Sequence, residues 1–234
     1  MRIIDEIKRI LAAGAASSMT FNEFLEVEIK RWKGSPQRRM MIECERYYKG
    51  DHDILQRKRE VIVENGARTE DTNLPNNKLV DNQFAKMVDQ KVNYLLAKPI
   101  TYESEDENYN KLLAEIFNHN FQRKLRSGGV DAFCGGGSWF YVYIGDDSKL
   151  KFQRFANYEV LPFWKDSDHD ELDCAVRVYE VEAYEGRELK TIEKVEVFKR
   201  DGIERYVLKD DKLIADVDNP SENYIKAGDN EYNW

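Results

Sequence analysis

Between Asn73 and Tyr102 the chain reads NLPNNKLVDNQFAKMVDQKVNYLLAKPITY, and apolar residues recur there three and four apart. Leu79, Val80, Phe84, Met87, Val88, Val92, Leu95 and Leu96 fall on one face of a helix. Lys78, Asp81, Lys86, Asp89 and Asn93 fall on the other. Pro75 suits a first helical turn and Pro99 cannot continue one, so the pattern predicts a central helix over about 76–98. At 1.5 Å per residue it would be roughly 34 Å long, which requires other elements to pack along it.

The same period marks other helices. Ile3, Ile4, Ile7, Ile10 and Leu11 share a face in residues 2–13, a short amphipathic helix that serves as a docking arm or a packed first helix. Thr20 and Glu23 make a capping box, followed by Phe21, Leu25, Ile29 and Trp32 on one side and Gly34 at the end. Ser35-Pro36 restarts a helix whose buried face is read as Met40, Met41, Cys44, Tyr47 and Tyr48. Residues 57–75 are polar and loop-like. ITYES after Pro99 is read as a short strand. Helices follow over about 108–118 and from Phe121, the second weakened by Gly128 and Gly129. Past Gly137 the period falls from 3.6 to 2. Segments 138–144, 149–155, 158–164, 174–184, 193–200 and 204–214 then read as strands joined by short turns. Helices first and antiparallel strands afterwards make the fold class α+β, the central helix packing with a mostly antiparallel sheet.

Composition narrows the function classes. The chain has 234 residues, 41% hydrophobic and 34% charged, which describes a folded protein with a heavily charged surface. Its net charge of −8 argues against a protein that coats nucleic acid. No apolar run approaches the ~20 residues needed to span a bilayer. The cysteines Cys44, Cys134 and Cys174 are three in number, far apart and without a CxxC pair, which fits free thiols in a reducing compartment.

Few residues invite chemistry. Cys134-Gly135-Gly136-Gly137-Ser138 lacks the lysine of a phosphate loop and runs from helix to strand, so it reads as a sharp turn. Asp166, Asp168, His169, Asp170 and Glu171 form an acidic loop without the ligand spacing of a calcium loop. Asp51, His52 and Asp53 follow a helix end, where such residues cap and solvate. His119 lies between two asparagines at a helix junction. Arg57, Lys58 and Arg59, with Arg31, Lys33, Arg38 and Arg39, make the N-terminal third more basic. No catalytic, cofactor-binding or metal site is assigned from these residues. A metal-dependent enzyme acting on nucleic acid or a phosphoester, using Asp51/Asp53 or Asp166/Asp168/Asp170, stays open as an alternative, as does an unrelated α+β binding module.

The order of motifs carries more than any one of them. YYKGDHDIL, a polar loop, the NLPNNKLVDNQFAKMVDQKVNYLLAKPITY stretch, a helix pair and the GGGSWFYVY strand entry together resemble the N-terminal part of tailed-bacteriophage portal proteins, or head-to-tail connectors. The type is that of long-tailed phages of Gram-positive bacteria. The likeness runs from about Met40 to Trp164 and more loosely to Trp234, and Asn76, Asn77, Asp81, Lys98 and Pro99 stand where that family carries such residues.

The resemblance implies a structural, non-enzymatic subunit without cofactors. It would belong to a homo-oligomeric ring, dodecameric in the family, at one vertex of the virion, assembled in the host bacterial cytoplasm. Double-stranded DNA passes non-specifically through such a ring during packaging and ejection. Partners would be other portal subunits, capsid or scaffold proteins, and terminase and head-completion proteins acting through regions missing here. No membrane is involved. Residues 1–17 would be an N-terminal arm. Residues 18–234 would form a wing-like domain, helical over 18–135 and strand-rich over 136–234, with stem, clip and crown absent.

Overall fold

A computed structural model describes residues 19–64, 66–71, 73–145, 147–224, 226–227 and 231–232. The amphipathic segment 2–13 lies outside the described residues. Two compact units divide the chain. One combines the described residues up to Arg39 with those from Trp139 onward; the other is Met40–Ser138.

The first unit is built on a sheet. Helix α1 (Phe21–Lys33) starts at the capping box read from the sequence: the Thr20 amide donates to Glu23 Oε2 at 2.7 Å, and the Glu23 amide to Thr20 Oγ1 at 3.3 Å. Helix α2 (Pro36–Tyr48) starts at Ser35, whose Oγ accepts from the Arg38 amide at 3.1 Å, and it runs on into the second unit. The strands β3 (Trp139–Ile144) and β4 (Leu150–Phe155) pair as a hairpin. The large sheet has the order β10-β8-β7-β6-β5, with β9 also on β8, and every pairing in it is antiparallel. Its strands are β5 (Val160–Trp164), β6 (Leu172–Glu185), β7 (Glu188–Lys199), β8 (Gly202–Lys209), β9 (Lys212–Ala215) and β10 (Glu222–Asn223). A two-residue ladder, β11 (Lys226–Ala227) with β12 (Glu231–Tyr232), follows.

Alternation along β6 and β7 decides the layers. Val176 and Val178, paired with Val197 and Val195, point to one face, and α1 lays Leu25 and Ile29 on them. Ala175, paired with Phe198, points to the other face, where Phe155, Trp139 and Tyr141 of the β3–β4 hairpin cover it. The sheet is therefore buried on both sides, which is why CAVRVYEV shows no clean apolar–polar alternation.

The second unit is helical. It holds α2 from Met40, a 3-10 turn (Asp53–Gln56), a small hairpin of β1 (Glu60–Ile62) and β2 (Arg68–Glu70), and helices α3 (Gln83–Leu96), α4 (Glu107–Ile116) and α5 (His119–Gly135). Helices α3 and α5 pack together through Val92, Leu96 and Gly129. A Cβ on Gly129 would lie 2.8 Å from Leu96 Cδ1 and 3.4 Å from Val92 Cγ1, so the glycine lets the helices approach. Helix α5 runs unbroken through both glycines, where the sequence suggested a bend.

Four sequence expectations need correction. The central helix begins at Gln83, not near Asn76, and its 14 residues span about 21 Å. Asn82 stops it from starting earlier. Its Oδ1 accepts from the Ala85 amide at 3.0 Å, while its Nδ2 donates to the Tyr47 and Tyr48 carbonyls at 3.1 and 2.9 Å. Upstream, Asn76 Nδ2 and Lys78 Nζ donate to the carbonyls of Arg57 and Leu55 at 3.0 and 2.7 Å, holding 76–78 out of the helix. ITYES has no ladder partner and is not a strand. The polar run 57–75 contains the β1–β2 hairpin, whose strand residues are all exposed, so no burial pattern marked it. Residues 204–214 form two strands rather than one. Asp210 and Asp211 take φ of 51° and 60°, a tight turn that short acidic side chains tolerate.

Candidate assembly surface

Part of the apolar stripe on α3 stays in the open. Val88 and Val92 are buried, and Phe84 and Leu96 are half-buried. Met87, Tyr94 and Leu95 are 56%, 89% and 64% exposed, and Phe133 on α5 is 43% exposed. Tyr94, Leu95 and Phe133, with Gln90 and Lys91, line a shallow depression of about 340 Å³. Leu79 just upstream is 86% exposed, and Met40, placed on the buried face of α2 from sequence, is 65% exposed. Tyr109 and Leu112 on α4 are also more than half exposed. Isolated exposed apolar residues are ordinary on a protein surface, but Tyr94, Leu95 and Phe133 stand together around one depression.

The polar contacts around this surface are structural. The Tyr48 hydroxyl donates to Asp89 Oδ1 at 2.8 Å, and burial, reinforced by that bond, pushes its pKa up to about 12. Burial raises the Cys134 thiol to about 11 and the Cys174 thiol to about 12, so neither is a nucleophile at neutral pH. All three cysteines are free.

The candidate chemistry from the sequence is dispersed into local roles. Asp53 accepts from Arg46 Nη2 at 2.5 Å and from the Tyr47 hydroxyl at 2.8 Å, and the guanidinium holds its carboxyl below the usual range. Asp51 lies 3.9 Å from the same arginine. His52 stacks on Tyr47. Asp166 accepts from the amides of Asp170 and Glu171 at 3.0 and 2.8 Å, and these bonds lower its pKa. His169 takes φ of 63° and stacks on Trp164. Among the described residues no three His, Cys, Asp or Glu side chains are placed to hold a metal ion. His119 opens α5 behind the cap formed by Asn118, whose Oδ1 accepts from the Asn120 and Phe121 amides at 2.9 and 3.2 Å. Gly136, at φ 80°, closes α5 by donating to the Ala132 carbonyl, which makes the glycine run a helix stop.

The basic residues are largely engaged within the chain. Lys33 pairs with Glu193 at 2.6 Å, and Arg38 Nε donates to the Tyr158 carbonyl at 2.9 Å. Lys58 pairs with Glu70 at 3.2 Å, and Arg59 donates to the Pro75 carbonyl at 2.6 Å. Arg31 lies 3.6 Å from Glu28. Of the residues that carried the family likeness, Asp81 accepts from Gln83 Nε2 at 2.5 Å and pairs with Lys86 at 3.1 Å. Lys98 offers its carbonyl to Gln122 Nε2 at 3.2 Å. Asn82, which ties α2 to α3, carries no sequence signal of that role, because it fits the middle of a continuous helix. No helix among the described residues is long and apolar enough to cross a membrane.

Comparison with known proteins supplies the family. The family model described as "Phage portal protein, SPP1 Gp6-like" matches residues 33–233. The portal protein of Bacillus phage SPP1 is 22% identical over 148 residues, which is 63% of this chain and 29% of that protein. The chain thus aligns with less than a third of the length of that relative.

Proposed function

Because the chain belongs to the SPP1 Gp6-like family of phage portal proteins, we propose that it is a structural subunit, the wing portion, of the ring through which double-stranded DNA enters and leaves a phage head. The observation that carries this reading is the uncovered apolar face of the helical unit, centred on Met87, Tyr94, Leu95 and Phe133. A ring built by rotation joins two different patches on each subunit, so one exposed apolar patch has its complement elsewhere on a neighbouring copy. Obligate interfaces of this kind resemble a core cut in half. The net charge of −8 supports a conduit rather than a grip, since like charge keeps passing DNA from adhering.

On this reading the partners are other portal subunits, in a dodecamer, together with capsid or scaffold proteins. Terminase and head-completion proteins engage other regions of the full-length ring. The ring sits at the portal vertex of the virion and is assembled in the host cytoplasm. The carboxylate clusters of an enzymatic alternative are occupied by arginine, tyrosine and backbone partners, so that reading draws no support from the geometry.

Sedimentation velocity over a concentration series, with negative-stain microscopy of the heaviest species, tests the proposal. The chain should self-associate into ring-like oligomers. The double substitution Tyr94→Glu/Leu95→Glu should leave a folded monomer by circular dichroism, since both side chains are exposed. A chain that stays monomeric at every concentration, or oligomers indifferent to those substitutions, would overturn it.

A further inference from the structure

The helical unit carries a second uncovered surface, the β1–β2 hairpin. Its two faces differ. Glu60, Ile62, Arg68 and Glu70 stand on one, and Val61 and Thr69 on the other. Val63, whose amide donates to the Ala67 carbonyl at 3.0 Å, continues the second face. We propose, on the reading that copies of this chain assemble into a ring, that the hairpin is an arm whose uncharged face seats in the α3–α5 depression of the next copy.

Charge separates the faces. Lys58 pairs with Glu70 at 3.2 Å, and Arg68 lies 3.8 Å from Glu60, so the charges of the first face are matched within the hairpin. Val61, Val63 and Thr69 bring no charge to the second face, yet all three are exposed. An apolar face left in water contributes nothing to folding, because the gain comes only when its area is removed from solvent.

A lone two-stranded hairpin is marginal in water and needs a further strand or a helix against its apolar face. This one is held at its base instead. The Asp71 amide donates to the Arg59 carbonyl at 2.8 Å, Arg59 Nη1 to the Pro75 carbonyl at 2.6 Å, and Asn76 Nδ2 to the Arg57 carbonyl at 3.0 Å. Those bonds fix where the arm starts. All six residues of its strands remain exposed.

The depression offers what the arm lacks. Two helices build it, Tyr94, Leu95 and Phe133 make its apolar wall, and Lys91 is the charged side chain of its lining. Lys91 has no ion-pair partner among the described residues, and neither has Glu64, which follows Val63 at the end of the arm. A copy seated there sets the uncharged face on the wall and brings a carboxylate to the ammonium. Within one chain Val61, Val63, Tyr94, Leu95 and Phe133 are all exposed, so the arm does not fill its own depression and the contact runs between copies. Arm and depression are different patches, as a ring built by rotation requires; a two-fold dimer would join like to like.

A face-specific pair of substitutions tests the arm. By sedimentation velocity Val63→Lys should weaken self-association at least about tenfold, a loss of about 1.4 kcal/mol, while Ile62→Lys on the ion-paired face should change it less than about twofold. Circular dichroism checks that both variants fold. A second measurement leaves the hairpin uncharged: copies carrying Val63→Cys are mixed with copies carrying Leu95→Cys, with oxidised glutathione as the oxidant, and the disulfides are mapped by peptide mass. The mixed link is expected to dominate. Equal losses from the two lysines, or Val63→Cys copies joined only to one another or to the native cysteines, would overturn the arm. If Tyr94→Glu/Leu95→Glu disperses the oligomers and Val63→Lys does not, the arm falls and the assembly reading stands. A chain that is monomeric at every concentration overturns both.

Discussion

Replacing Lys194 by methionine should destabilise the sheet unit more than the loss of an ordinary surface ion pair. Lys194 Nζ lies 2.7 Å from Asp216 Oδ2, and the two side chains are 21% and 3% exposed. Methionine keeps the aliphatic stem and removes the cation, leaving a carboxylate almost fully out of water. Breaking a buried pair from one side costs about 3–5 kcal/mol. Asp216 Oδ1 retains two backbone donors, the amides of Asp218 and Asn219, both at 3.2 Å. That residual satisfaction, with the partial exposure of the lysine, brings the expected cost to about 2–3 kcal/mol. Adding Asp216→Asn to the methionine variant removes the stranded charge while keeping an acceptor for the amides, and should recover at least half of the loss.

Thermal and urea unfolding of the four members of the cycle give the coupling, expected above about 1 kcal/mol for groups in direct contact. The pH dependence has a defined sign. The Lys194 ammonium, followed by the backbone amides, holds the Asp216 carboxyl below its usual range. Its contribution is full above the unfolded value of about 3.9 and is lost as pH falls through that value toward the folded one. The hydrogen bond to Asp216 raises the Lys194 pKa. Its contribution is full below the unfolded value of about 10.4 and is lost as pH rises through the folded one. The gap between the native chain and Lys194→Met should therefore be flat through neutral pH and close at both extremes. A cost within about 0.5 kcal/mol, the range of exposed pairs, or a double variant no better than the single one, would refute the reasoning.

Two further substitutions probe single contacts. Asn82→Ala removes the cap on α3 and both donations to the end of α2, and should cost about 2–3 kcal/mol by urea unfolding of the helical unit; Asn82→Asp, which keeps only the cap, should fall between. Gly202→Ala would place a Cβ 2.2 Å from the Glu222 carbonyl oxygen, a backbone atom, so β10 should detach and the amide of Tyr224, which donates to the Asp201 carbonyl at 2.9 Å, should lose hydrogen-exchange protection while the β6–β7 core keeps its own.

The family was legible before any coordinates because it resides in order. YYKGDHDIL, the NLPNNK stretch and the GGGSWFYVY entry identify the chain by succession, and the family match over 33–233 agrees. The covering of the Ala175 face was not legible, since SWFYVYI carries aromatics on both parities and nothing local says which ring packs there. The start of α3 is hidden in the sequence for a related reason. Leu79 and Val80 fit the helical period, but the competing bonds come from Arg57, Leu55 and the end of α2, tens of residues away.

The amino-acid order by itself determined the helical character of the first half and the antiparallel strands past Gly137. The capping box at Thr20, the proline after Ser35 and the shift to period two past Gly137 are local devices, each complete within a turn or a hairpin. Tertiary structure alone decided which apolar faces were spent. Both faces of β6 are covered, one by α1 and one by the β3–β4 hairpin, while the stripe on α3 is half used and its remainder faces solvent. Periodicity states that a face is apolar; only the packing of residues distant in the chain states whether a partner is already there.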